Sequence, residues 1–363
     1  MRINFEEVFT YNNLYKASRK CRLNVGWKTS TQRYLNKELI NVSRLRRDLF
    51  SGKYKALPFK EFDLNERGKM RHIKSCHIKD RVIQKCFCDN CLVPLITPTL
   101  IYDNGACMKN KGIYFARNRL KCHLEKYYRH FKNGGYVLKF DLKSYFDSIP
   151  HDKLIEKVSK ILKDERLIKL YAQLVRDFGG GKGLGLGSQI SQISAIFYLS
   201  SLDHYVKEKL HIKYYGRYMD DGYLIHSDKE YLVRCLDELK RLCAELGITL
   251  NLKKTQIIKL SRGFEFLKQR WKLTDTGKII IKVCKANVVR QRRKLKKFKK
   301  HILNNKITLV QVERSFESWK SCLIKTNAFK QYRRMRILYL DLFGEYYGNK
   351  NTIPVCRRIR CKT

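Results

Sequence analysis

The chain has 363 residues, 44% of them hydrophobic, which excludes a disordered polymer and leaves room for about two or three subdomains around a sizeable core. Its 78 Lys and Arg against 33 Asp and Glu give a net charge of +45, far beyond what solubility needs, so a polyanionic partner is implied, either nucleic acid or an anionic membrane surface. The basic residues run along the whole chain, and 22 Tyr with 18 Phe offer stacking faces that suit nucleic acid better than lipid.

No apolar run is long enough to span a bilayer, so no membrane segment is expected. The N-terminal MRINFEEVFT lacks the charged-then-apolar order of a signal peptide. A cytoplasmic protein, bacterial or phage-encoded, is the expectation, and its 13 cysteines then read as free thiols. No Pro/Gly/Ser-rich linker and no internal repeat divides the chain, and 5 prolines permit long helices.

In chain order, residues 1–50 show apolar recurrence at helical spacing, stopped by Gly52 in SGKY. Residues 55–75 alternate apolar and polar around NERGK and predict a hairpin with a basic tip. A helix follows from about Lys79 to Leu95. It contains CFCDNC, whose Cys86, Cys88 and Cys91 either begin a zinc site or pack as small core residues. The missing second half of a zinc motif favours the core. YVLKFDLKSYF (136–146) predicts a strand and turn, HDKLIEKVSKIL a helix, and GGGKGLGLGSQISQ (179–192) a Gly-rich loop feeding the apolar helix ISAIFYLSSLDHYVKEKL. KYYGRYMDDGYLIHS is a strand, a tight turn and a strand. KEYLVRCLDELKRLCAELGI is an amphipathic helix closed by Gly247, and FEFLKQRWKLTDTGKIIIKV is a hairpin turning on TDTGK. From Ala286 onward the chain is helical and very basic. The order predicts an α+β core with a helical appendage.

Two predicted strands end in acids: Asp141 in LKFDLKSYF, and Asp220 with Asp221 in RYMDDGYLI. An Asp-Asp pair usually marks a solvated turn, but a solvated turn has no need of YM before it and YLI after it. If the two strands are sheet neighbours, three carboxylates converge on one edge. Such a cluster needs cations, and hard oxygen ligands select Mg²⁺, completed by water and substrate phosphate. A pair of Mg²⁺ ions about 3.5–4 Å apart is the clamp used in phosphoryl transfer.

YMDD in a strand–turn–strand, preceded by FDLKSYFDSI, resembles the catalytic core of reverse transcriptases. The resemblance covers roughly residues 60–320 through GKMRHIKSCHIKDRVIQ, DNGACMKNKG, LGLGSQISQISAIFYL, LGITLNLKKT, GFEFLKQ and SFESWKSCLIKTNAFKQ, in that order. It implies a right-hand polymerase: N-terminal helices and fingers over 1–135, a palm over 136–273 with part of the fingers interleaved, a helical basic thumb over 274–345, and a basic tail over 346–363.

On this resemblance Asp141 and Asp220 hold both metals most directly, Asp221 is more peripheral, and the carbonyl of Phe140 or Leu142 adds a ligand. Lys69 and Arg71 match the fingers residues that grip the incoming triphosphate. Phe146, five residues after Asp141, matches the steric gate against a ribose 2′-OH, although Tyr145 or Phe146 could equally be a core aromatic. Lys253 or Lys254 is placed as general acid toward pyrophosphate, with Lys254 preferred and a shift toward neutral pH expected. Arg81 beside Asp80 is a template contact or half of a structural ion pair. Arg217, the primer-grip residues Gly263 and Phe264, and Arg290, Arg292, Arg293, Lys296 and Lys297 of the thumb are expected on nucleic acid.

LGLGSQISQ bears on the subclass. Leu186 stands where most reverse transcriptases carry Gln, and Ser191-Gln192 replaces Ser-Pro, as in diversity-generating retroelements. With Leu186 and Gln192 beside the nascent pair, the resemblance implies error-prone copying of a noncoding RNA into cDNA. Ile196, Gly185 and Gly222 depart from that group, which keeps a defence-associated reverse transcriptase of the abortive-infection kind open. A group II intron protein is less expected, because its C-terminal extension has no room beyond residue 363. The implied partners are template RNA, cDNA, dNTPs and, in a diversity-generating system, a small accessory protein; a homo-oligomer is also open. The rival classes are a non-enzymatic RNA-binding protein, which needs no converging acids, and a nuclease, which needs no fingers or thumb.

Overall fold

The computed structural model describes residues 3–66 and 68–347. From residue 348 the expected basic tail, with Cys356 and Cys361, lies outside the described residues. The chain forms two compact units, one of Met1–Leu120 with Leu138–Ile257, the other of Lys121–Val137 with Ile258–Thr363. The expected division placed 258–273 with the palm. In the structure these residues join the C-terminal unit, because strands from both sides of residue 273 share one sheet.

In the first unit, the predicted N-terminal helices form as Phe5–Val8, Tyr11–Cys21, Thr29–Leu35 and Glu38–Phe50. Local chemistry sets their starts: Asn4 and Glu7 make a reciprocal capping box, and Thr10 accepts from the Asn13 amide. The predicted hairpin is β1 (Lys60–Glu66) against β2 (Lys69–Ser75), closing on Glu66 opposite Lys69. Every β1 residue is exposed, so cross-strand pairs such as His72 with Glu61 and Asp63, not a core, hold it.

The helix expected over 79–95 is interrupted. Ile78–Phe87 opens into a π-turn at Cys88–Leu92 before Val93–Ile96. Pro94 has no N–H to give to the ladder, and Asn90 donates its side-chain amide to the Cys86 carbonyl, so the hydrogen-bond pattern shifts locally. Cys86, Cys88 and Cys91 are fully buried, and the Cys86 thiol donates to the Val8 carbonyl at 3.2 Å. Burial pushes the Cys91 thiol up to about 12. They are core residues in this fold.

The sheet that matters for the site has the order β4-β5-β3-β6, with β3 at Tyr136–Asp141, β4 at Tyr214–Tyr218, β5 at Asp221–His226 and β6 at Gln256–Lys259. The two acidic strands, β3 and β5, are therefore neighbours. The helix Lys229–Glu245 follows the predicted pattern, but the one expected over ISAIFYLSSLDHYVKEKL begins earlier, as Gln189–Tyr198, and breaks into Ser200–His204 and a π-turn at Tyr205–Lys209. Glu165–Arg176, which the sequence reading passed over, is capped by Asp164.

In the second unit, the expected hairpin is a three-stranded meander: β7 (Phe264–Phe266), β8 (Gln269–Leu273) and β9 (Ile279–Val283). Leu267 and Lys268 both take positive φ, 48° and 65°, and make a two-residue turn with no Gly or Asn to announce it. The helices Lys285–Leu303, Leu309–Ser321 and Phe329–Phe343 close on Leu295, Val312, Phe316, Trp319, Met335 and Phe343. The Trp319 indole donates to Asn287 at 2.8 Å, so its polar edge is satisfied within the core.

Candidate active site

The turn that displays the acid pair is built by its strands. Tyr214, Tyr215, Tyr223, Leu224 and Ile225 are buried, and Tyr218 pairs with Asp221 across the hairpin, which leaves Met219 and Asp220 as the connection. Met219 sits at φ 55°, left-handed backbone that costs an ordinary residue about 1–2 kcal/mol.

Asp141 ends β3 with 7% exposure. Its carboxylate accepts from Lys254 Nζ at 2.7 Å and from Asn251 Nδ2 at 3.3 Å. Its carbonyl accepts from the Asn251 amide at 2.7 Å. Leu142 faces Leu250 in an isolated bridge flanked by bonds from Lys143 and Asn251, so its own backbone groups point away from 249–251.

Asp221 Oδ1 is buried and has no hydrogen-bond partner; the nearest cation is Lys139 Nζ at 3.6 Å. Burial pushes this carboxyl up to about 6; Lys139 opposes the shift, and the charges of Asp141 and Asp220 add to it. The three acids therefore share one electrostatic site, as the strand order requires.

An orphaned buried carboxylate oxygen among three mutually repelling acids fits a divalent cation. Among the described residues no three metal-ligating side chains already close on one point. An open carboxylate set suits Mg²⁺, which keeps water and completes its shell with phosphate.

Of the two lysines considered, Lys254 reaches Asp141. Its pKa moves up, chiefly through that hydrogen bond, and not toward neutrality as expected. In this state it is a firmly charged counter-ion of Asp141.

Tyr145 is the core aromatic. It is buried, and its hydroxyl donates to the Ala195 carbonyl at 2.5 Å. Phe146 is only partly buried, and its carbonyl accepts from Leu184 at 2.8 Å, which ties it to the Gly-rich loop. On that loop Leu186 is partly exposed, while Gln192 is exposed on helix Gln189–Tyr198. The Cys107 thiol lies 3.9 Å from the Gln192 amide oxygen and 4.0 Å from the Met219 sulfur. Segment 103–107 thus flanks the acid turn, a placement no local sequence signal announces.

Two glycines that break the family pattern have steric reasons. A Cβ on Gly222 would stand 2.3 Å from the Phe140 ring, and one on Gly185 would stand 2.4 Å from the Phe178 ring. Gly222→Ala is expected to cost about 1–3 kcal/mol by overpacking. Thermal unfolding checks it, and Phe140→Leu in the same chain should recover most of the loss.

Several expected nucleic-acid contacts require correction. Arg217 is 1% exposed and fully engaged inside the fold, so it does not meet nucleic acid. Its strand position in a half-polar YYGRY run gave no sign of a buried partner; that partner is Asp203, distant in sequence. Phe264 is 2% exposed on β7, so its ring is core, not primer grip. Gly263 takes φ 75° where a Cβ would meet the Trp271 carbonyl at 2.7 Å. Asp80 does not pair with Arg81; it accepts from Tyr54 and from the Leu57 amide, while Arg81 reaches Ser75 at 3.5 Å. Arg71 is held by Glu66 at 2.9 Å on the hairpin, with Lys69 opposite the same Glu66 in register. In the second unit Arg290, Arg292, Arg293, Lys296 and Lys297 are all exposed on helix Lys285–Leu303, whose other face buries Leu295.

No helix among the described residues is long and apolar enough to cross a membrane. YkfC of Escherichia coli strain K12 is 25% identical over 277 residues, 64% of this chain and 71% of that protein. An uncharacterised 91 kDa protein in the cob intron of Schizosaccharomyces pombe is 35% identical over 108 residues, 27% of this chain and 13% of that one. The solved telomerase of Candida albicans, in complex with a fragment of telomeric RNA, shares the fold at TM-score 0.50 and 14% identity, over 86% of this chain and 65% of that one. The architecture is thus an α+β right-hand polymerase fold. The family model described as reverse transcriptase (RNA-dependent DNA polymerase) matches residues 60–270, spanning both acidic strands, and the chain belongs to that family.

Proposed function

We propose that this protein is an RNA-directed DNA polymerase that copies a noncoding RNA into cDNA with two Mg²⁺ ions. The observation that carries the reading is the buried Asp221 oxygen, which has no hydrogen bond and only Lys139 at 3.6 Å, beside Asp141 and Asp220 on adjacent strands. Asp141, Asp220 and Asp221 would hold the ions, and the Leu142 carbonyl, not bonded to residues 249–251, would add a ligand. Bound there, Mg²⁺ supplies charge stabilisation to the attacking and leaving oxygens.

The chain's own residues do the rest. Lys254 pairs with Asp141 in the free state and stands ready as a cation for the leaving pyrophosphate. Phe146 shapes the sugar side of the nucleotide pocket, and Arg71 with Lys69 meets the triphosphate once Glu66 yields Arg71. The exposed arginines and lysines of helix Lys285–Leu303 hold the duplex backbone through charge. The net charge of +45 supports a large RNA partner.

Primer extension on RNA with dNTPs and Mg²⁺ tests the reading: the wild type should synthesise cDNA, and no synthesis under any priming scheme would sink it. Degradation without dNTPs would point to a nuclease instead.

The finer reading is a diversity-generating enzyme, carried by Leu186 and Ser191-Gln192. Restoring a hydrogen-bonding side chain with Leu186→Gln should lower misincorporation about fivefold, the equivalent of ~1 kcal/mol for one hydrogen bond. Sequencing of cDNA measures it. Errors concentrated at template adenines support diversification. Accurate copying by both proteins favours the defence-associated alternative, which the departures at Gly185 and Gly222 leave open.

A further inference from the structure

We propose that Arg217, paired with Asp203, is a positioning residue that sets the acid turn and registers it against helix Gln189–Tyr198. The proposal rests on the polymerase reading above. Both side chains of the pair have 0% exposure. Arg217 Nε donates to Asp203 Oδ1 at 2.7 Å and Nη2 to Asp203 Oδ2 at 2.5 Å, a two-pronged grip. The Tyr215 hydroxyl donates to the same Asp203 Oδ1 at 2.6 Å, which orients the carboxylate.

The rest of the guanidinium reaches two backbone carbonyls. Nη1 donates to Met219 at 2.8 Å, and Nη2 to Ile196 at 3.1 Å. Met219 is the left-handed residue immediately before Asp220, so fixing its carbonyl fixes the direction in which the chain presents Asp220. Ile196 lies in the last turn of helix Gln189–Tyr198, where carbonyls have no partner within the helix. Gln192 stands on that same helix. One planar group therefore joins the acid turn to the helix that faces the nucleotide.

Stability alone does not explain the pair. A buried ion pair can often be replaced by apolar residues of similar volume without loss. An apolar pair cannot bond both carbonyls, and lysine has a point charge in place of the planar fork. The geometry is what only arginine supplies.

The test uses the full chain and Mn²⁺ as a probe of the carboxylate site, followed by electron paramagnetic resonance. Arg217→Met combined with Asp203→Leu refills the core but strands the Tyr215 hydroxyl, so it should unfold cooperatively at a melting temperature several degrees below the wild type. Its half-saturating Mn²⁺ should nevertheless rise about 10-fold or more, and in primer extension kcat should fall about 10–100-fold, as for losses of the groups that orient metal ligands. The KM for dNTP should move less than kcat. A well-folded double variant with wild-type Mn²⁺ binding overturns the proposal, and so does a wild type that binds no Mn²⁺. Should the double variant fail to fold, Arg217→Lys is read the same way: unchanged Mn²⁺ binding overturns positioning, and a weakened site supports it. The Mn²⁺ titration needs no nucleic acid, so absence of synthesis by the wild type would sink the polymerase reading and leave this result legible.

Discussion

Asp220→Asn is expected to lower kcat for RNA-templated synthesis about 10³-fold or more, the rate equivalent of the several kcal/mol that metal-borne charge stabilisation supplies. The amide keeps the shape of the carboxylate and removes its charge. RNA affinity should stay within about twofold, because phosphate contacts come from lysines and arginines. The substitution should not lower the melting temperature of the metal-free protein. Asp220 lies beside a buried carboxyl that its charge helps push up to about 6, so removing that charge relieves repulsion. Asp221 should then titrate lower, which NMR of the labelled carboxyl would follow. Single-turnover primer extension is the decisive measurement: synthesis within about tenfold of the wild type would sink the metal assignment.

Phe146→Ala is expected to reduce the preference for dNTPs over rNTPs about 10–100-fold, the range a single steric contact gives in substrate discrimination. The structure sharpens this expectation. Tyr145 is locked into the core by its bond to Ala195, so Phe146 is the ring left to face a sugar. The paired control is Tyr145→Phe, which loses a buried hydrogen bond and should cost about 1–2 kcal/mol of stability with selectivity unchanged. Competition between dNTP and rNTP in primer extension reads both. Selectivity that moves with Tyr145→Phe and not with Phe146→Ala reverses the assignment.

Much of the site was legible because its signals are local. YMDD between apolar strands, FDLKSYF, and the Gly-rich loop each report a backbone and a face within a few residues. The helix stops at Gly52 and Gly247 were legible for the same reason, since both take the positive φ of a helix end. Two of the errors involve partners from other elements, and a third is a local turn. Arg217 was expected on nucleic acid in a chain of +45, and its burial depends on Asp203 in another element. Lys254 was expected to shift toward neutrality, yet a carboxylate at 2.7 Å, brought by β3, raises it. The meander at 264–283 was read as one hairpin, because Leu267 and Lys268 take a turn conformation that their side chains do not advertise.

The sequence by itself determined the chemistry of this protein: three acids at strand ends, a polycationic body and the order of its motifs. Those are properties of residue type and short spacing. Tertiary structure alone decided which acid has a buried oxygen with no hydrogen bond, which aromatic is locked into the core, and which arginine is buried against Asp203. Burial and pairing depend on where distant segments meet, and a local pattern carries no information about that.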